Sequence, residues 1–270
     1  MTTRVAIVGG TGKLGAIIRD VVEASDDFEV AAILTSQSSL DELDGADLVV
    51  DASTPSVSVE VVRAATDRGI NVLVGTSGWS AERIDRLRPT VADAGTGVVI
   101  IPNFSLGSVL GSALAAAAAP FFPSVEIVEA HRESKIDSPS GTAVRTAELI
   151  AAARSAVGPV ESPHVDQRAR GQQVASIPIH SLRRPGVVAR QETVLSGPGE
   201  TLAIVHDTVE PARAYSPGIA LALAGARDAV GVVVGLDAFL DIGLRMPASR
   251  RGSSVDEGDV SGQVAQATGA

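Results

Sequence analysis

The chain has no cysteine, and histidine is scarce. Without cysteine there is no disulfide framework, no thiolate chemistry and no cysteine-based metal site. The imidazoles at positions 131, 164, 180 and 206 show no spacing typical of metal ligands, so we expect no bound metal. Basic residues are outnumbered by acidic ones, and the formal net charge of −10 argues against binding to nucleic acid or to an anionic membrane.

Long hydrophobic runs are also missing. The most apolar predicted helix, 109–119, is alanine-rich and too short to span a bilayer. A strand begins within four residues of the first Met, with no basic region followed by an apolar core. We therefore expect no secretion signal and a cytoplasmic protein. A chain of 270 residues can bury a large core, and two lobes are the natural expectation.

Strands and helices alternate in the first part of the chain, which is typical of a doubly wound parallel sheet. The pattern predicts strands at 4–8, 29–34, 47–51, 71–74 and 97–101. It predicts helices at 13–25, 56–68 and 80–94, with Pro55 in a first turn and Ser80 as a cap.

From residue 125 the pattern changes. A strand at 125–128 and a helix at 143–153 precede a polar stretch, 155–173, and then β-rich segments at 174–182, 186–195 and 201–209. Strands in succession indicate a second α+β lobe with an open antiparallel or mixed sheet. A helix at 217–229 and the segment 232–240 are expected to return to the first lobe. Residues 245–270 are rich in Ser, Gly, Asp and Arg and predict a disordered tail.

The segment from Glu129 to Arg145 is the most informative part of the chain. His131 and Lys135 follow a predicted strand, and Ser140, Gly141 and Thr142 begin a predicted helix. The first N–H groups of a helix have no intrahelical partner and attract anions, and a glycine there allows close approach of a carboxylate. The combination predicts an anion site with titratable groups beside it. The simpler alternative is a capped helix with a surface lysine and a packed histidine.

A glycine-rich turn follows the first predicted strand and precedes a helical pattern. Its sequence is Gly9-Gly10-Thr11-Gly12-Lys13-Leu14-Gly15, with the spacing Gly-x-x-Gly-x-x-Gly. This arrangement is a relative of the dinucleotide-binding fingerprint of Rossmann-like sheets, in which glycines allow a tight turn and close approach of a pyrophosphate. The alternative is a βα turn that binds nothing.

Taken together, the motifs from about Arg4 to Leu244 resemble the dihydrodipicolinate reductase family of lysine and diaminopimelate biosynthesis. Besides the glycine turn and the His131 segment, five stretches carry the resemblance: 50–55 (VDASTP), 74–79 (VGTSGW), 101–107 (IPNFSLG), 180–183 (HSLR) and 199–202 (GETL). The ordered set is far more specific than any single member.

The resemblance implies that the protein is an NAD(P)H-dependent reductase of 4-hydroxy-tetrahydrodipicolinate, a cyclic dicarboxylate. It implies a first domain of residues 1–104 and 216–244, a substrate-binding and oligomerisation domain of residues 105–215, and a homotetramer. His131 and Lys135 are the implied catalytic residues, and the implied substrate ligands are Arg132, Ser140, Gly141 and Thr142. The implied cofactor ligands are Gly9, Gly10, Thr11, Gly12, Lys13, Leu14, Gly15, Thr35, Ser53, Gly75, Thr76, Gly78, Asn103 and Phe104.

Three positions depart from the family pattern. Arg132 stands where a second histidine is usual, and Ala52 replaces an aromatic residue. The end of the second strand is 34–37 (LTSQ), where an acidic residue is common. A carboxylate there binds ribose hydroxyls and repels a 2′-phosphate. Its absence, with Lys13 nearby, predicts that NADPH is used at least as well as NADH, unless Asp41 or Glu42 supplies the acid.

Two other functions are compatible with parts of the sequence. Arg132 and Ala52 are the features that favour a catalytically weakened member that binds dinucleotide as a sensor or interaction module. A two-lobed amino-acid dehydrogenase is the other alternative. Retention of both His131 and Lys135 beside the Ser140–Thr142 helix start favours the reductase over both. For Arg183, at the end of a predicted strand, the sequence favours neither a structural role nor a substrate-facing one.

Overall fold

The computed structural model describes residues 2–243. In this part of the chain the strands are β1 (Thr3–Val8), β2 (Phe28–Leu34), β3 (Leu48–Asp51), β4 (Asn71–Val74), β5 (Gly97–Ile100), β6 (Ser124–His131), β7 (Gln172–Val174), β8 (Ile177–Arg183), β9 (Ala189–Gly197), β10 (Glu200–Thr208) and β11 (Gly231–Val234). The α-helices are α1 (Lys13–Glu23), α2 (Ser58–Thr66), α3 (Ala81–Ala94), α4 (Leu106–Ala118), α5 (Gly141–Ala153) and α6 (Pro211–Arg227). The predicted disordered tail, 245–270, lies outside the described residues.

The first lobe is a six-stranded sheet in the order β11-β5-β4-β3-β1-β2, and every neighbouring pair is parallel. Its central strands are buried on both faces because helices cover both sides of the sheet, and side chains alternate between those sides along each strand. Val5 and Ile7 pack against α1 and α6, whereas Ala6 and Val8 pack in the core under α2 and α3. The predicted doubly wound sheet is confirmed, and β11 returns the chain to it beside β5.

The second lobe is a five-stranded mixed sheet in the order β10-β9-β6-β8-β7, in which only the β6–β8 pair is parallel. α4 and α5 lie on one face, and their alanines pack on Ile127, Ile179 and Leu195. Small residues on both helices allow them to approach the sheet and each other. No helix among residues 2–243 has the length and apolarity needed to cross a membrane.

The predicted strand at 174–182 is wrong as a single element. The chain reverses at Ala175 and Ser176, whose φ angles are +49° and +70°, so that β7 and β8 form a hairpin. Two-residue hairpin turns need positive φ at both central positions, and Gly or Asn usually supplies it. Neither residue stands here, so the sequence carried no turn signal.

Several predicted helix starts were also displaced, those of α6 and α2 among them. α6 begins at Pro211, a favourable first position, and contains Pro217 in its interior; it therefore crosses the predicted domain boundary at residue 216. α2 begins at Ser58, and Pro55 lies in the preceding turn. The hydroxyl of Ser58 donates to the buried carboxylate of Asp51, which fixes the helix start to the end of β3. Ser80 caps α3 as predicted, by accepting from the N–H of Arg83.

Candidate active site

The glycine turn between β1 and α1 is shaped by backbone contacts that leave no room for side chains. Gly9 has a φ of +80°, and a Cβ there would lie 2.5 Å from the carbonyl oxygen of Ala52. A Cβ on Gly15 would lie 2.2 Å from the carbonyl oxygen of Gly9, and one on Gly10 would meet Ile33 at 2.7 Å. Glycine is therefore required for this turn and for the close approach of α1 to the sheet.

The start of α1 is open to an anion. Gly12 is its N-cap and offers no side chain to the first-turn N–H groups, and that turn contains no acidic residue. The unpaired N–H groups and the helix dipole favour negative charge at this position. Thr11 and Lys13 are exposed beside it. The turn fits the pyrophosphate of a dinucleotide by its shape and by its charge.

The polar residues after β2 stand as predicted. β2 ends at Leu34, and Thr35, Ser36 and Gln37 are exposed. The two nearby acids have other partners. Asp41 lies 3.1 Å from a guanidinium nitrogen of Arg68, and Glu42 accepts from the N–H of Ser39 in a capping box. Each of the two acids is therefore paired with a neighbouring residue.

The carboxyl ends of β3 and β4 complete the first lobe's side of the site. Asp51 is fully buried and accepts from the N–H and hydroxyl of Ser53, so it orders the end of β3. Thr76 donates to the carbonyl of Asp51 at 3.2 Å, and Gly78 has a φ of +93° against Pro55. These residues hold the loops in which parallel sheets bind ligands.

Gly75, Leu14 and Phe104 meet where the two lobes face each other. A Cβ on Gly75 would lie 2.9 Å from the ring of Phe104 and 3.0 Å from Leu14. The missing side chain lets the ring of Phe104 and the start of α1 converge. The three residues form an apolar wall facing the second lobe.

His131 is the last residue of β6, and a buried carboxylate orients it. Its Nδ1 lies 2.6 Å from Oε2 of Glu129, which is fully buried. Arg183, the register partner of His131 on β8, donates from both terminal nitrogens to the two oxygens of Glu129 at 3.0 Å. Burial raises the pKa of Glu129, but the hydrogen bonds from Arg183, Ser181 and His131 outweigh it and the pKa is lowered. The carboxylate is therefore ionised at neutral pH.

The pKa of His131 is set by opposing effects. Burial lowers it below the ordinary 6.5, Glu129 raises it, and Lys135 and Arg183 lower it further; the net shift is downward. Without a ligand, the imidazole is therefore mostly neutral near pH 7. An anionic ligand in contact with it would favour the protonated form.

Lys135 and Arg132 lie on the turn that follows β6. The ammonium of Lys135 donates to both oxygens of Asp137, at 2.8 and 2.7 Å, and lowers the pKa of that carboxyl. Arg132 is exposed and donates to the hydroxyl of Ser134. Lys135 is partly buried and borders the site, whereas the side chain of Arg132 is exposed to solvent.

The start of α5 has the predicted form. Ser140 is the N-cap and accepts from the N–H of Ala143 at 3.2 Å. A Cβ on Gly141 would meet no atom within 4 Å, so the space above it is open. The hydroxyl of Thr142 accepts from the amide of Asn103 at 3.3 Å, which ties the helix start to the end of the first lobe. The site can thus receive a carboxylate at a helix terminus.

Two adjoining cavities share a wall formed by this segment. The smaller, about 280 Å³, faces the first lobe through Leu14, Gly75 and Phe104. The larger, about 400 Å³, extends along α4 and α5 past Lys135 and Gly141. The residues on both walls are Pro102, Asn103, Ser108, His131, Ser140 and Thr142.

Nine of the twenty predicted site residues therefore meet at these cavities. The other eleven line neither one: Gly9, Gly10, Thr11, Gly12, Lys13, Gly15, Thr35, Ser53, Thr76, Gly78 and Arg132. All of them except Arg132 belong to the glycine turn or to the strand-end loops of the first lobe.

Sequence reasoning missed three polar residues around His131. Glu129 received no role, although a charged residue in an apolar strand two positions before His131 shares its face. Gln191 and His206 line the smaller cavity from β9 and β10. His206 lies 3.2 Å from the hydroxyl of Ser105, and burial lowers its pKa. No local pattern marks these two residues, because only strand pairing brings them to the site.

A parallel sheet with a glycine turn after its first strand, joined to a second lobe with a mixed sheet, is the architecture of a two-lobed, dinucleotide-dependent oxidoreductase. Family models described as dihydrodipicolinate reductase, N-terminus and C-terminus, match residues 3–104 and 107–240. The chain belongs to the dihydrodipicolinate reductase family.

Individual relatives agree with this assignment. The 4-hydroxy-tetrahydrodipicolinate reductase of Clavibacter sepedonicus is 56% identical over the whole of both chains. A dipicolinate-bound dihydrodipicolinate reductase from Paenisporosarcina sp. TG-14 superposes with a TM-score of 0.77 at 28% identity, covering 89% of this chain and 100% of its own. An amine dehydrogenase from Mycobacterium smegmatis shares the fold at 11% identity and a TM-score of 0.61, covering 88% of this chain and 96% of its own.

Proposed function

We propose that this protein reduces 4-hydroxy-tetrahydrodipicolinate to tetrahydrodipicolinate with NAD(P)H, in lysine and diaminopimelate biosynthesis; the reaction takes up a hydride and a proton, and the 4-hydroxyl leaves as water. One observation carries the proposal: His131 and the α5 start lie on the wall between a cavity that faces the dinucleotide lobe and a cavity that borders Lys135. This is the arrangement that reduction of an anionic substrate by a bound dinucleotide requires. The full-length similarity to 4-hydroxy-tetrahydrodipicolinate reductase supports it.

The first lobe holds the dinucleotide. Gly9 and Gly15 let the backbone approach the pyrophosphate, and the uncapped start of α1 offers its N–H groups. Leu14, Gly75 and Phe104 form the wall against which the nicotinamide rests. When bound, the dinucleotide supplies the hydride, and the protein supplies position and charge.

The second lobe holds the dicarboxylate. One carboxylate accepts from the N–H groups at the α5 start and from the hydroxyl of Thr142, in the open space above Gly141. Lys135 adds a positive charge to the same cavity. The Paenisporosarcina relative is described as binding dipicolinate, an aromatic dicarboxylate, which supports a substrate of this class.

His131 and Lys135 are the proposed proton donors. Substrate carboxylates beside His131 offset the burial that lowers its pKa, and the imidazolium can then donate from Nε2. Lys135 lines the larger cavity, and its hydrogen bond to Asp137 holds the ammonium in place. From there it can donate a proton toward the ring nitrogen of the substrate. A guanidinium is not a proton shuttle, so the proposed role of Arg132 is limited to attracting the anionic substrate.

We further propose that NADPH is used at least as well as NADH. Thr35, Ser36 and Gln37 offer hydroxyl and amide groups where a carboxylate would repel a 2′-phosphate, and Lys13 adds positive charge. The pairing of Asp41 with Arg68 supports this preference, because it neutralises an acid that follows β2 in the chain.

We also propose that the protein is a homotetramer and is located in the cytoplasm. One face of the second-lobe sheet is covered by α4 and α5, while Leu182 and Val205 on the other face are each 48% exposed. Burial of that face against other copies would remove this apolar surface from water. Sedimentation equilibrium of the purified protein tests it, and a monomer at micromolar concentration would contradict it.

The activity is tested by NAD(P)H oxidation with the product of aspartate semialdehyde and pyruvate condensation. We expect turnover with that substrate and none with amino acids or amines. Tight dinucleotide binding without turnover would instead favour the sensor, and turnover with an amino acid would favour the dehydrogenase. Family membership and the joint placement of His131, Lys135 and Thr142 weigh against both alternatives.

A further inference from the structure

Two glutamates on β6 each pair with one arginine and one histidine, and each such set of three residues is called a trio here. Glu126 pairs with Arg170 at 2.5 Å and with Nε2 of His180 at 2.7 Å. Glu129 pairs with Arg183 and with Nδ1 of His131. Because the two glutamates are three positions apart on a strand, they lie on opposite faces of the sheet.

The two trios differ in environment. Glu126 is about 30% exposed on the face that no helix covers, and its trio lines neither cavity. Glu129 is fully buried beneath α5, and its histidine lies on the wall shared by the two cavities. A fully buried carboxylate is costly unless every oxygen is paired, and here each oxygen accepts from Arg183.

We infer that Glu129 is a positioning residue: it fixes His131 in the tautomer that presents Nε2 to the substrate, with Arg183 holding the carboxylate in place. The inference rests on the proposed catalytic role of His131. An ionised carboxylate can only accept, so Nδ1 must carry the hydrogen, and Nε2 is the nitrogen left for a ligand.

The same carboxylate also reaches the anion site. Oε1 of Glu129 accepts from the N–H of Ser140 at 3.3 Å, and Ser140 is the N-cap of α5. One buried group thus sets the distance between the proton donor on β6 and the helix terminus that receives the carboxylate. The guanidinium of Arg183 extends this support to the turn after β6, since it donates to the carbonyls of Lys135 and Asp137.

The nearest charges determine how the imidazole titrates. Glu129 raises the pKa of His131, while Lys135 and Arg183 lower it. Arg190 and His206 line the same cavity from β9 and β10. Removing the charge of Glu129 therefore lowers the pKa of His131, and the loss of activity at rising pH moves to lower pH.

The test compares Glu129→Gln with Glu126→Gln, which alters the other trio. We expect Glu129→Gln to reduce kcat about ten- to a hundredfold, to shift the alkaline limb of the kcat profile downward and to leave the Michaelis constant for NADPH within about twofold. Glu126→Gln should leave kcat and the profile unchanged. Normal kcat and an unshifted profile in Glu129→Gln would overturn the inference.

Nitrogen-15 NMR of wild-type His131, assigned by its loss in His131→Ala, tests the tautomer without depending on the stability of any Glu129 variant. The expected neutral form carries its hydrogen on Nδ1, and a hydrogen on Nε2 would overturn the inference. Turnover of His131→Ala distinguishes a failure of the proposed function from a failure of the inference about Glu129. Near-normal turnover there would contradict the proposed function, whereas low turnover with an Nε2–H tautomer would contradict the inference alone.

Discussion

The two lobes build their binding surfaces in different ways. In the first, residues 9–15 form a turn and the first residues of α1, and their close packing depends on missing side chains. In the second, the site depends on side chains from separate strands, with Glu129 and Arg183 54 positions apart. The contrast teaches that damage to the first lobe should weaken cofactor binding, whereas damage to the second should slow turnover or weaken substrate binding.

The largest effect is expected from the second lobe. His131→Ala or Lys135→Ala should lower kcat by roughly one to three orders of magnitude, because a proton donor or charge is lost. The Michaelis constant for NADPH should barely change, since neither residue lies in the glycine turn. His164→Asn is a matched control at an exposed position with positive φ, which Asn tolerates. Near-normal turnover of a variant that carries both substitutions would show that this segment is not the active site.

The next effect tests the first lobe. Gly15→Ala places a methyl group 2.2 Å from a backbone oxygen, whereas Gly12→Ala meets that oxygen at 3.2 Å. We expect Gly15→Ala to raise the dissociation constant for NADPH by about tenfold or more and to cost about 1–3 kcal/mol of stability. Gly12→Ala should raise the dissociation constant less and cost less stability. Titration of the protein with NADPH and thermal unfolding measure the two quantities; equal effects would mean that helix–strand contact does not shape this site.

A smaller effect should distinguish substrate binding from cofactor binding. Thr142→Val removes a hydroxyl, and Gly141→Ala fills open space that no protein atom occupies. Each should raise the Michaelis constant for the dicarboxylate about tenfold, the scale of a hydrogen bond to a charged group. Gly111→Ala, a helical glycine whose added methyl would have ordinary contacts at 3.8 Å, is the control. A rise confined to the NADPH constant would move the substrate away from the α5 start.

The smallest effect concerns cofactor choice. Thr35→Asp should tilt preference toward NADH by about tenfold, because the new carboxylate repels the 2′-phosphate. Specificity constants for both cofactors measure this shift. Thr201→Asp carries the same charge change in the other lobe and should leave the ratio unaltered. A wild type that strongly prefers NADH, with no response to Thr35→Asp, would refute the account of this strand end.

Local patterns predicted most of the first lobe because its determinants are local. Buried parallel strands are continuous apolar runs, and helices begin at capping residues such as Ser80 that are recognisable from the local sequence. The errors fell where the signal was not local. The turn at Ala175 and Ser176 lacks glycine, and α6 continues through Pro217 although proline normally ends a helix pattern.

The sequence by itself determined the glycine turn and the alternation of strands and helices, and it indicated His131, Lys135 and the Ser140–Thr142 helix start as candidate site residues. Tertiary structure decided which side chains surround them. Strand pairing placed Arg183 beside His131, and burial under α5 made Glu129 dependent on that pairing, because an ionised carboxylate shielded from water needs partners for both oxygens. Such partners come from distant segments, so their roles emerge only when the sheet is assembled.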